Sequence, residues 1–205
     1  MEEIIPKSKD GKEKYATYSS MLTRYRTAMN NGFFFEALLI DYAVLEDRLE
    51  SFLWAAAVIN DMGVYKFGNK RNKTQLKEIY IAYGGVDKLP RLRNISGKIE
   101  MARAIVAFGK SSYDGTDLYM KSLHKALQTI ALDKLDEALS SLDEWRNYRN
   151  EVIHDAMNKN IFSLYASIEA KAAVGLEYAR IIDNEAKKLG RRQYLRRSAN
   201  MPFKK

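Results

Sequence analysis

Apolar residues along the chain recur three and four positions apart, the period of an α-helix with one buried face, and no run alternates long enough to argue for a sheet. The pattern predicts an all-α protein, a single-domain helical bundle of about five to seven helices. A first helix over Lys14–Asn30 has Tyr15, Tyr18, Leu22 and Tyr25 as its apolar side, and Asn31-Gly32 stops it. The second helix is the most regular. Phe35, Leu38, Leu39, Tyr42, Leu45, Leu49, Phe52, Leu53 and Ala56 hold one face, while Glu36, Asp41, Glu46, Asp47, Arg48 and Glu50 lie mostly elsewhere, as on a solvated face. Between Asp61 and Arg93, Gly63, Gly68, Gly84-Gly85 and Pro90 punctuate a segment with one short helix, Thr74 to Ala82. Ser96 is placed to cap a helix running through Ile99, Ala102 and Ile105 to Phe108, with Gly109 ending it. After a loop up to Gly115, Thr116 or Asp117 opens a helix with Leu123, Leu127 and Ile130. A long helix follows, Leu135 to Ala156, broken by Met157 to Asn160. The last runs from Ile161 to Leu189, with Leu164, Ile168, Ala172 and Leu176 at every fourth residue, and Gly190 closes it.

Length and composition make one domain the default, since 205 residues at 46% hydrophobic content support one sizeable core. The expected division is a loose lead-in over 1–12, a helical domain over 13–190 and a basic tail over 191–205. With no cysteine, neither a disulfide framework nor a thiolate zinc site can form. The longest apolar stretch, Phe52 to Ile59, is too short for a membrane helix, and Met1 to Lys7 lacks the basic-then-apolar layout of a secretory signal. A cytoplasmic protein with no membrane association is the expectation. The formal charge of +8 is concentrated at one end: eight basic residues and no acidic one lie between Ala186 and Lys205, equal to the excess of 34 Lys and Arg over 26 Asp and Glu. Tyr194 and Phe203 stand between the arginines and lysines of this tail, Arg191, Arg192, Arg196, Arg197, Lys204 and Lys205, a composition suited to single-stranded nucleic acid through charge and stacking, or to a flexible solubilising terminus. The remaining body is formally neutral, so a nucleic-acid cleft in it must arise from local arrangement.

The candidate chemistry lies late in the long helix. Leu135, Ala138, Leu139, Leu142 and Trp145 define a buried stripe whose next seat is position 149, where an apolar residue is due and an arginine stands. A guanidinium there must snorkel, pair or serve a ligand, because an unpaired buried charge costs several kcal/mol. Five residues on is His154, able to move a proton near neutral pH. An arginine that neutralises a phosphate and a histidine that transfers a proton are what RNA self-cleavage chemistry requires. Five residues turn an ideal helix through about 140°, so the two converge only through a local distortion or with a second chain. The alternative is that both are solvated and pair with Glu144, Glu151 or Asp155.

Arg149-Asn150-Glu151-Val152-Ile153-His154, late in an all-helical domain, resembles the Arg-x4-6-His motif of the HEPN ribonucleases. The likeness in specific residues is confined to this hexapeptide. It implies a HEPN-like helical bundle that forms a homodimer, with the motifs of two protomers meeting in a shared cleft and cutting RNA without metal or other cofactor. Members include toxins of toxin–antitoxin pairs, abortive-infection proteins and CRISPR-linked nucleases, so an antitoxin or other regulatory protein is an implied partner beside RNA. Carried onto this chain, Arg149 holds the scissile phosphate, His154 transfers protons, and Asn150 orients the phosphate or a partner side chain. Arg146, one turn before Asn150, is placed to extend the basic strip toward RNA. The rival reading is a helical dimer that binds RNA or a protein partner without turnover.

Other motifs fail on their own terms. Ala104 to Ser111 ends like a phosphate-binding loop, but has alanine where the first glycine belongs and helix where a strand must precede. Glu151-Val152-Ile153-His154 is a single Glu-x-x-His unit, and Lys121 precedes His124 by three, so the second unit of a di-iron bundle is absent and no metal site is expected. No cysteine and no strand-turn serine elbow supports a nucleophile triad.

Overall fold

The computed structural model describes residues 11–60, 63, 65, 70–155, 158, 160–191, 195 and 198. Among these the protein is all-helical, with seven helices in the order α1 (Gly11–Asn30), α2 (Phe34–Ala55), α3 (Lys70–Ala82), α4 (Ile95–Lys110), α5 (Leu118–Leu127), α6 (Leu132–Asp155) and α7 (Ile161–Gly190).

Helix ends follow local chemistry. Gly32 sits at φ +74°, the Phe33 amide donates to the Ala28 carbonyl, and the Gly32 amide to that of Met29, the paired bonds of a Schellman stop. Gly84 repeats the device after α3, with Gly85 bonded to Tyr80 and Gly84 to Ile81. The end of α2 carries the same two bonds, Val58 to Leu53 and Ala57 to Trp54, but its left-handed residue is Ala57 at φ +57°, which a side chain adopts at a cost. Asp117 caps α5 by accepting from the Met120 amide. The cap of α4 is Asn94, which accepts from Gly97, and not Ser96, whose hydroxyl turns to Glu100. Gly109 does not end that helix: α4 continues to Lys110, and the missing side chain at 109 lets α4 approach Leu127 and Leu132 closely. Helix α3 begins at Lys70, four residues before the expected Thr74.

The most extensive pairing is α2 with α7, which run parallel: Asp41 lies against Gly175, and Arg48 holds Asp183 at 2.7 Å seven residues further along. Helix α6 packs antiparallel to α7 through Trp145 with Lys171 and Tyr148 with Ser167. At the far end of α6, Lys110 bridges Asp133 and Asp136, tying α4 to α6. One core links all of these; Phe52, Leu45, Leu49, Tyr119, Ile105 and Trp145 are among its fully buried members. Two residues expected on buried faces point outward, Tyr15 (75% exposed) and Leu39. Leu195 is fully buried in the same core, inside the stretch expected to be a basic tail.

Candidate active site

The carboxyl-terminal half of α6 is held to α7 by hydrogen bonds. The Trp145 Nε1 donates to the Lys171 carbonyl at 2.8 Å, the Tyr148 hydroxyl to Ser167 Oγ at 2.6 Å, and the Lys171 ammonium lies over the Tyr148 ring. These contacts set the rotation of α6. They turn Trp145 and Val152 inward and bring Arg149 to the edge of the core.

Arg149 is half-buried, with its guanidinium 3.9 Å from the centre of the Tyr42 ring on α2. Stacking of this kind contributes roughly 0.5–2 kcal/mol and holds the group flat without neutralising it. Nη1 donates to Asn150 Oδ1 at 3.1 Å, and the buried Nε has no hydrogen-bond acceptor. No carboxylate among the described residues pairs with Arg149, whereas Arg146 is occupied by Asp143 and by the Asn147 side chain. His154 lies in the last turn of α6, exposed, and its ring makes no hydrogen bond among the described residues.

The structure therefore brings Arg149 and Asn150 together and does not bring His154 to them. The helix is continuous from Leu132 to Asp155, and five residues of it separate two side chains by about 140° and about 7.5 Å along the axis. Ion pairs to Glu144, Glu151 or Asp155 do not form at Arg149. Arg146 is not a free cation, since its fork is closed on Asp143. Arg191 is exposed at the end of α7; Arg192, Tyr194, Arg196 and Arg197 lie outside the described residues.

No family model, curated protein or solved structure matches the chain. Among the described residues no helix is long and apolar enough to cross a membrane, and no three His, Cys, Asp or Glu side chains gather as metal ligands.

Two α2 residues complete the surroundings, and the apolar pattern misassigned the second of them. Tyr42, read as a core residue, is the platform under Arg149. Asp41, read with the solvated acidic face, is fully buried against Gly175, and both carboxyl oxygens lack a hydrogen-bond partner. Burial pushes its carboxyl up to about 8, so Asp41 is protonated at neutral pH. The neighbouring Tyr25 hydroxyl, which donates to the Ala172 carbonyl at 2.7 Å, is pushed up to about 12 by burial first and then by Asp41.

Proposed function

We propose that the protein is a metal-independent endoribonuclease of the HEPN type, acting as a homodimer whose two Arg149-to-His154 motifs share one cleft. The observation that carries this reading is the uncommitted charge of Arg149. A guanidinium fixed over Tyr42, with a free buried Nε and no carboxylate partner among the described residues, is prepared for an external anion. The exposure of His154 supports the same reading, because an imidazole on the outer turn of α6 is available to a substrate held by a second copy.

In the proposed reaction the ribose 2′-hydroxyl gives its proton to His154 as its oxygen attacks the adjacent phosphorus. The P–O5′ bond breaks, and the leaving oxygen takes a proton from that same imidazolium. Arg149 neutralises charge growing on the phosphoryl oxygens, and Asn150, bonded to Nη1, keeps the guanidinium aimed. The products are a 2′,3′-cyclic phosphate and a 5′-hydroxyl, and DNA, lacking the 2′-hydroxyl, survives. By its resemblance, such an enzyme serves as a toxin or phage-defence effector and is restrained by an antitoxin or other regulatory protein.

In excess chelator, the purified protein is expected to cut RNA and spare DNA of the same sequence, with Arg149→Ala and His154→Ala each slower by at least about a hundredfold. Cutting that persists in both variants, or that requires a divalent ion, contradicts the proposal. A second reading, a dimer that binds RNA or protein without turnover, is favoured by the separation of Arg149 and His154 around a continuous helix. It predicts a gel shift that weakens steeply with salt and leaves RNA intact.

A further inference from the structure

A wide cleft of about 1320 Å³ opens between α3, the connection to α4 and the start of α4. Six cationic side chains line it, Lys73, Lys77, Lys88, Arg91, Arg93 and Lys98, against the two carboxylates Glu50 and Asp87. Two of the six are committed: Lys98, 5% exposed, is held by Glu46 at 2.9 Å and Glu50 at 3.2 Å, and Lys77 by Asp87 at 2.7 Å. Lys73, Lys88, Arg91 and Arg93 are exposed, and their side chains make no ion pair or hydrogen bond among the described residues. Four uncompensated cations around one concavity, on a body whose formal charge is close to zero, are a local positive field.

The cations stand on a fixed support. The Tyr65 hydroxyl donates to the Pro90 carbonyl at 3.1 Å. Asn94 caps α4, and Gly97 packs so closely that a Cβ there would collide with the Arg91 carbonyl. Leu89, Pro90 and Tyr65 contribute apolar surface between the charges. The volume exceeds the roughly 300–1,000 Å³ of a small-molecule pocket, and spaced cations with apolar surface between them suit a chain of phosphates. Along α2, Tyr42, Glu46 and Glu50 recur every fourth residue, so the positions that carry the Arg149 platform, the Lys98 anchor and the cleft wall follow one another on one side of that helix at about 6 Å of rise each.

We infer that this cleft is the track for the phosphodiester backbone of single-stranded RNA, with Lys88, Arg91 and Arg93 as its principal contacts, leading the strand to Arg149. The inference rests on the ribonuclease reading for its choice of ligand. It is tested by binding of labelled oligouridylate to the full-length His154→Ala protein across a salt series. The cleft triple Lys88→Ala, Arg91→Ala, Arg93→Ala is compared with the equal-charge triple Lys121→Ala, Lys125→Ala, Lys134→Ala at exposed positions on α5 and α6. The cleft triple is expected to bind at least about tenfold more weakly and to flatten the slope of log K against log salt by about 2, at roughly 0.7 per lost phosphate contact, while the control triple changes little. Equal losses in both triples, no loss in either, or uridine monophosphate competing as well as the oligomer overturns the proposal. Cleavage by the parent protein is scored separately. RNA bound in the cleft but never cut removes the ribonuclease reading and leaves the track; RNA cut equally by parent and by the cleft triple removes the track and leaves the ribonuclease.

Discussion

Two neighbouring residues, Asp41 and Tyr42, show how much one helical position decides. Tyr42 turns its ring to α6 and stabilises a cation, whereas Asp41, about 100° round α2, is driven into the α2–α7 interface as a neutral acid. The pattern of apolar positions identified Arg149 as out of place on a buried stripe, and the structure explains the exception with an aromatic face. The same pattern misplaced Asp41, because in sequence an acidic residue carries no mark of a raised pKa; its only companion signal is Gly175, distant in the chain, whose lack of a side chain makes room for the carboxyl. Asp41 has a direct consequence for stability. Its folded value of about 8 stands above an unfolded value near 4, so the folded state retains a proton that the unfolded state has released. The stability it contributes is full below about pH 4 and is lost as the pH rises toward 8, at about 1.4 kcal/mol for each pH unit between the two values. Asp41→Asn, which cannot ionise, is therefore expected to gain roughly 4 kcal/mol relative to the parent between pH 5 and pH 9, read from urea unfolding at both pH values. A difference that does not change with pH contradicts a neutral buried Asp41.

Among the elements, α1, α2 and α7 are legible because each has either a strong stop signal or a long periodic face. Asn31-Gly32 forms the stop it suggests, and Ile168, Ala172 and Leu176 are all buried as their spacing requires. The end of α2 is not legible: Ala57 takes the left-handed conformation with no glycine to announce it. The start of α3 is hidden because Lys70 to Thr74 contains no apolar residue to set a period. The start of α4 was misread because Asn94 and Ser96 are both good caps, and only the geometry shows that Asn94 accepts the Gly97 amide. Asn94→Ala is expected to destabilise the protein by about 1 kcal/mol in urea unfolding, while Ser96→Ala changes it by no more than a few tenths. The same Asn94 substitution loosens the start of α4 beneath Arg91 and Arg93.

At the scale of the whole molecule, charge and assembly decide what the bundle can do. Bookkeeping along the chain assigned the positive excess to the tail and left the body neutral, yet folding gathers Lys73, Lys88, Arg91 and Arg93 from two separate segments around one cleft and pairs many of the remaining charges elsewhere. Three of those cations fall within Lys88-Leu89-Pro90-Arg91-Leu92-Arg93, a signal present in the sequence but diluted by Gly84 and Gly85 before it and by Pro90 within it. Within one chain Arg149 and His154 do not meet, because a continuous α6 sends them to different sides. Two subunits are what the proposed chemistry requires, and that requirement is open to a complementation measurement. Arg149→Ala and His154→Ala chains carrying different tags are co-expressed, and the dimer containing one of each is purified through both tags and assayed on RNA in excess chelator. Each parental variant dimer is expected to be inactive, and the mixed dimer to recover cleavage to within about an order of magnitude of wild type, because it keeps one Arg149 facing one His154 across the interface. A mixed dimer as inactive as its parents contradicts a site built from both subunits.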